Sequence, residues 1–217
     1  MKMISSVLKF IIILLAIVIS QDNAVNGQIK IGFKSGISSS RFLMSSTPAY
    51  NEMNNKIGFL IAGIFDYDIN NYIRIRVEPG YYQKGYDLKY NGSSINPSIP
   101  QASICVNYLE LPISIVGNYN FAPLYPYLTA GFSIGYLVNA KSVATVNGNE
   151  KFYEIKDSYK DFDLSLALGA GSEYFITTTT TIIFDIKYLF GISDISRNSL
   201  SRKTRNFLFT IGLLFEI

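Results

Sequence analysis

The 217-residue chain has no histidine, no tryptophan and one cysteine. Without histidine, the Ser-His and Asp-His arrangements of many hydrolases and acyltransferases lack their base. No cluster of Cys, His or carboxylates has transition-metal spacing, so neither a metal nor a cofactor is expected. Cys105 has no partner for an internal disulfide, although an exported compartment would permit one, and it reads as a small apolar residue of a strand. Beyond the first twenty residues no run of 18 apolar residues occurs, which excludes a transmembrane helix. Phosphate-binding glycine loops and nucleic-acid patches are absent. Charge adds nothing to that: 19 basic against 16 acidic residues becomes 17 against 16 once Lys2 and Lys9 are set aside with the leader.

That leader is the first positive feature. Lys2 and Lys9 supply a basic start, Phe10 to Ile19 form an apolar core, and Val18 and Ser20 suit cleavage before Gln21. Residues 1–20 are therefore expected to be a signal peptide and residues 21–217 one mature domain. The apolar run falls short of the ~20 residues a spanning helix needs, which disfavours the alternative of a retained N-terminal anchor. No cysteine follows the core to carry a lipid.

The rest of the chain alternates with a period of two. At the C-terminal end Phe207, Phe209, Ile211, Leu213, Phe215 and Ile217 fall on one side, and Leu208, Thr210, Gly212, Leu214 and Glu216 on the other. Only a β-strand places residues i, i+2 and i+4 on one face. About eight strands are predicted, near 29–38, 56–67, 72–86, 104–119, 126–138, 161–175, 181–192 and 204–217. Between them, long polar segments (39–55, 87–103, 139–160, 193–203) alternate strictly with short ones (68–71, 120–125, 176–180). A bacterial barrel with short periplasmic turns and long external loops has this asymmetry.

Side-chain size says which face looks outward. One face collects Ile29, Ile31 and Phe33; Ile57, Phe59, Ile61 and Phe65; Leu109, Leu111, Ile113 and Ile115; Leu164, Leu166 and Leu168. The opposite face holds Gly32, Gly36, Gly58, Gly131, Gly135, Gly169, Gly171, Gly191 and Gly212, with most strand charges. The interior of a barrel of eight strands is only wide enough for side chains to fill, so the large apolar set is assigned to lipid. A soluble, lipocalin-like inversion would instead put the glycines in water. Tyr67, Tyr72, Tyr119, Tyr125 and Tyr174 gather beside the short turns, as a membrane–water girdle requires.

Tyr108-Leu109-Glu110-Leu111-Pro112, with Tyr125-Pro126-Tyr127-Leu128 and Gly131, resembles the small outer-membrane β-barrel family of Bacteroidota, often called porin-family or PorT-like. Gly32-Phe33-Lys34-Ser35-Gly36-Ile37 is similar to its first strand, and Gly169-Ala170-Gly171 with Glu173-Tyr174 to its sixth. The likeness runs from about Ile29 to Ile217; it departs at the last residue, where Ile217 replaces the aromatic common in such barrels. It implies the fold and the location, and it raises a role in protein secretion.

Charges predicted on the inward face are Asp66, Arg74, Arg76, Glu78, Glu110, Glu173, Asp185 and Lys187. Centring the hairpin on 87–103 places Glu110 opposite Gly80, within reach of an arginine. Buried charges must be paired, so a structural salt-bridge plug is expected; a conducting pore is the alternative. Asp161 and Asp163 read as a solvated rim. Arg197, Arg202, Lys203 and Arg205 make the last external loop basic, either as an ordinary solvated loop or as a dock for lipopolysaccharide phosphates or an acidic partner.

The expectation is thus an all-β, eight-stranded antiparallel transmembrane β-barrel of the outer membrane, monomeric and non-enzymatic. Outer-membrane lipid surrounds it, no nucleic acid binds it, and lipopolysaccharide or a surface or secretion protein is its candidate partner. It would serve as a structural or binding platform through its external loops, or as a small transport or secretion accessory.

Overall fold

The computed structural model describes residues 28–44, 52–89, 101–119, 121–146, 149–197 and 201–217. The expected signal peptide lies outside them, as do parts of the expected loops 39–55 and 87–103. Ten strands follow one another: β1 (Ile29–Met44), β2 (Glu52–Asp68), β3 (Ile73–Val77), β4 (Gly80–Lys89), β5 (Gln101–Asn118), β6 (Leu124–Val146), β7 (Asn149–Glu154), β8 (Phe162–Phe175), β9 (Thr180–Gly191) and β10 (Arg202–Glu216). Among the described residues no helix is long and apolar enough to cross a membrane.

All pairings between these strands are antiparallel. β1 pairs with β2, β2 with both β3 and β4, these two with β5, β5 with β6, β6 with β8, β8 with β9, β9 with β10, and β10 with β1 again. The result is an all-β, barrel-like sheet in which sequence neighbours are also ladder neighbours.

β3 and β4 occupy one position between β2 and β5. Pro79, which has no N–H to give, interrupts the ladder there. Two residues are skipped on each side of the break: Val77 pairs with Ile113 and Gly80 with Glu110 on β5, while Val77 pairs with Phe65 and Gly80 with Ala62 on β2. The gap is bridged by Gly63 N–H to Pro79 O at 2.9 Å and Glu78 N–H to Pro112 O at 3.0 Å. Register and face therefore carry through the proline.

The short turns are closed by their own side chains. Asn70 Oδ1 accepts the N–H groups of Tyr72 and Ile73, both at 2.9 Å, which folds residues 69–72 back on themselves. Thr177 Oγ1 takes the same role for Thr180, at 3.0 Å.

At the other end the strands run farther than their composition suggests. β1 continues through the serine-rich stretch to Met44, because Ser38 Oγ donates to Gln83 O at 2.6 Å and Ser40 Oγ to Gly85 O at 3.0 Å on β4. Segment 139–160, expected to be a loop, instead extends β6 to Val146 and returns as β7, paired from Lys141–Glu154 to Val146–Asn149. A 3-10 turn at Lys156–Ser158 follows.

The outer face is as predicted. Phe33, Ile57, Phe59, Ile61, Ile115, Leu128, Leu168, Phe184 and Ile211 are among the many large apolar side chains left exposed. An apolar surface of this extent is a band for hydrocarbon. The interior differs from expectation in one respect: it holds large apolar groups as well as glycine, serine and charge. Leu60, Tyr82, Leu189 and Leu208 form one buried cluster, and Ile64, Ile183 and Leu214 another. A third, at the long-loop end, includes Phe42, Tyr86, Tyr108, Leu137, Tyr159 and Ile195. Inward glycines make the room. A Cβ on Gly171, for instance, would collide with the ring of Tyr127.

Candidate functional site

The inward charges form three groups stacked along the lumen. Nearest the short turns, Arg76 donates to both oxygens of Asp66, through Nε at 2.8 Å and Nη2 at 2.7 Å. Arg74 Nε lies 3.1 Å from the same carboxylate. Across the lumen, Glu173 accepts from Arg74 at 3.2 Å and also at a closer contact, and from Arg76 at 3.4 Å. Tyr127 lies beneath both guanidiniums, 5.5 Å from Arg74 and 5.0 Å from Arg76, and its hydroxyl accepts from Arg76 at 3.1 Å. Bidentate geometry and a π-face are what a guanidinium needs when water is removed.

The middle group is built on Lys34 of β1. Its ammonium donates to Glu78 at 2.6 Å and to Asp185 at 2.8 Å. Lys187 closes on the other oxygen of Glu78 and lies 3.9 Å from Asp185. The group nearest the long loops has Lys84 between Glu110 and Asp163, the latter at 3.1 Å. Ser133 donates to Glu110 at 3.1 Å, while Ser193 and Thr204 both donate to Asp163 at 2.9 Å.

All eight predicted lumen residues are buried, with Glu173 the most accessible at 4%. Their grouping corrects the sequence reading. Glu110 does stand opposite Gly80, but its partner is Lys84 and not an arginine. Glu78 pairs with lysines and not with the arginines; Asp66 does lie beside Arg74, as its place across the short turn implies, and it holds Arg76 as well, with Glu173 joining both. Lys34, Lys84 and Asp163 belong to the network and were not assigned to it. Asp163, expected at a solvated rim, is 1% exposed; Asp161 does remain near the surface, 3.0 Å from Arg197. The missed signal was parity: Lys84 keeps step with Glu78, and Asp163 with Glu173.

Five cations (Lys34, Arg74, Arg76, Lys84, Lys187) meet six carboxylates (Asp66, Glu78, Glu110, Asp163, Glu173, Asp185). The excess anion lies in the group around Lys84. Each carboxylate has a cation and each cation a carboxylate, and the set as a whole carries one more acidic than basic group. Among the described residues no group of three His, Cys, Asp or Glu side chains is placed to hold a metal ion.

The four basic residues of the last long loop do not form one patch. Arg197 is taken by Asp161. Arg202 lies over the ring of Tyr159, at 5.4 Å. Lys203 is exposed, and Arg205 is buried on the outer face, its guanidinium 3.6 Å from the Phe190 ring centre and donating to Gly191 O at 2.9 Å and Thr204 O at 2.7 Å. β10 sets Arg205 directly beside Arg41 of β1, with Lys203 two positions beyond. Those three share an outward rim, while Arg202 turns toward the mouth.

Solved structures similar in fold include Neisserial surface protein A, with a TM-score of 0.51 at 14% identity, covering 87% of this chain and 97% of that one. A major outer membrane protein from Thermus thermophilus is similar at a TM-score of 0.53 and 8% identity, covering 89% and 100%. At such identities the likeness speaks for the fold. No curated protein matches the chain in sequence. Residues 19–197 match the family described as outer membrane protein beta-barrel domain. With an apolar band outside, a paired charge network inside and that match across most of its length, the chain belongs to the outer membrane protein β-barrel domain family, and its place is the outer membrane of a Gram-negative bacterium.

Proposed function

We propose that the chain is a non-enzymatic, monomeric barrel of eight staves, β3 and β4 making one, that works as a structural or binding platform through its long-loop end. The observation carrying this reading is the filled lumen: the three ionic groups continue into the apolar cluster around Phe42, Tyr108, Leu137 and Tyr159. A plugged interior leaves the ends and the outer wall as the working surfaces. The short turns face the periplasm and the long loops face outward in this reading. Outer-membrane lipid surrounds the apolar band. The outward, exposed cations Arg41 and Lys203 suit lipopolysaccharide phosphates, and a surface protein is the candidate partner for the loops.

Single-channel recording in planar bilayers tests the reading. The purified protein should be silent; steady unitary currents would overturn the plug. Protease added to intact cells should cut between β4 and β5 and spare turn 69–72, the reverse result inverting the orientation.

A second reading, a PorT-like secretion accessory, draws on a polar cavity at the short-turn end. It encloses about 230 Å³ and is lined by Gln28, Lys30, Asp68, Asn70, Arg74 and Asn118 among others. Loss of surface-protein export on deletion of the gene, with the barrel itself electrically silent, would favour it.

A further inference from the structure

At the long-loop mouth β4, β5, β6, the segment around the 3-10 turn and the start of β10 line a second, half-open cavity of about 230 Å³. Its walls are Tyr86, Leu88 and Ile104 from β4 and β5, with Ile155 and Tyr159 from the segment after β7. Tyr86, Leu88, Ile104 and Tyr159 are buried members of the apolar cluster, which forms the floor. Ser142 and Ser158 add hydroxyls. The one charged group in the lining is Arg202.

Arg202 differs from the other arginines facing the interior. Arg74 and Arg76 are each held by two carboxylates, whereas no carboxylate lies within ion-pair distance of Arg202 among the described residues. Its Nε is buried and has no hydrogen-bond partner. Its guanidinium lies over the Tyr159 ring, at 5.4 Å. A buried donor left unpaired is costly, and Arg202, half-buried as a whole, opens onto a mostly apolar chamber.

The chamber is also built to stay in place. Tyr159 bridges to Ser196, Lys160 N–H donates to Ile195 O at 2.8 Å, and Arg197 N–H donates to Ser158 O at 3.1 Å. Arg202 is fixed through its backbone: its N–H donates to Asp194 at 2.9 Å, and its carbonyl accepts from Ile195 at 3.0 Å. The backbone that carries the cation is thus pinned to Asp194 and Ile195 at the edge of the cavity.

We infer that this mouth cavity is a binding site for a small amphipathic anion, its apolar body against Tyr86, Leu88, Ile104 and Tyr159 and its carboxylate, sulfonate or phosphate on Arg202. The cavity is smaller than the ~300–1,000 Å³ of drug-sized pockets, which limits the guest to one or two rings or a short chain. The inference rests on the platform reading, since it places the working site at the long-loop end.

The test uses the full mature protein in lipid nanodiscs, with naphthoate as probe, its neutral amide as control, and empty nanodiscs to subtract partition into lipid. Calorimetric titration should give saturable, one-to-one naphthoate binding, with the amide at least about tenfold weaker, the scale of one charge-assisted contact. Arg202→Gln should remove that preference, and Arg202→Lys should restore part of it. Leu88→Trp, which fills the chamber and leaves the charge, should abolish binding of both probes. Equal binding of acid and amide, or naphthoate binding unchanged in Arg202→Gln or in Leu88→Trp, would overturn the inference. No saturable binding in a barrel that is silent in bilayers overturns the cavity site alone; ion conduction by the wild type overturns the platform reading itself.

Discussion

Asp66 and Arg76 face each other directly across the β2–β3 ladder, and the guanidinium grips both carboxylate oxygens, at 2.8 and 2.7 Å. Arg74, one inward position away, leans on the same carboxylate at 3.1 Å. Asp66 is thus the small anion on which two fully buried cations depend, with Glu173 as their other support.

Asp66→Asn keeps the shape and removes the charge. It should cost ~3–5 kcal/mol, the range for breaking a buried pair, measured as a shift of the urea unfolding transition in lipid vesicles. Adding Arg76→Gln should then cost clearly less than the two single losses summed. Strict additivity would show that the pair is not coupled.

Glu110→Gln should behave differently, because Lys84 serves two carboxylates and retains Asp163 at 3.1 Å. The change removes the excess anion, and Ser133 still has an amide oxygen to donate to. A loss below ~1 kcal/mol is expected, the scale of one neutral hydrogen bond. Lys84→Met strands Glu110 and Asp163 together and should fall in the ~3–5 kcal/mol range. Equal penalties for the two variants in the same unfolding assay would argue against the shared-cation geometry.

Gly171 lies where a side chain would meet the Tyr127 ring. Gly171→Leu should push that ring from beneath Arg74 and Arg76 and cost ~1–3 kcal/mol, as overpacking does. Tyr127→Leu in the Gly171→Leu background should recover part of the loss. Absence of any recovery would mean that the clash lies with the backbone of β9.

Asp194 gives the last long loop its pH dependence. Its Oδ1 accepts the N–H groups of Arg202 at 2.9 Å and Ser196 at 3.0 Å, and these backbone donors hold its carboxyl below the usual carboxylate range. A lowered folded value means that the contribution is present above the unfolded pKa, ~3.9, and is lost as pH falls through the lower folded one. Amide exchange at Ser196 and Arg202, corrected for intrinsic rates, should stay slow through mild acid and quicken only below about pH 4. Asp194→Asn should abolish that pH step; a step that survives would assign it to another group.

Much of this was legible from alternation. Parity placed every predicted lumen charge inside, and hairpin centring put Glu110 opposite Gly80. Parity also contains Lys84 and Asp163, but both stand beside polar, loop-like stretches, where an inward charge and a solvated one look alike in sequence. What alternation lacks is the third dimension. Lys34 meets Glu78 and Asp185, 44 and 151 residues away, and Arg74 meets Glu173 from the far wall. Such contacts depend on strand tilt and closure, which a ladder pattern does not encode. Arg205 shows the same limit on the outside: its loop-like neighbours suggested a solvated cation, whereas its register put it against Phe190 and two carbonyls.

The break at Pro79 has a consequence for how this gene can change. The chain is written in a two-letter frame, and the skipped residues on either side of the proline preserve that frame from Ile73 to Lys89. Deleting one residue there would invert β4, sending Tyr82 and Lys84 into hydrocarbon and drawing Tyr81 and Gln83 into the lumen. A change of a single codon's length is therefore a frameshift of faces within the strands, while in the long connections the same change shifts nothing.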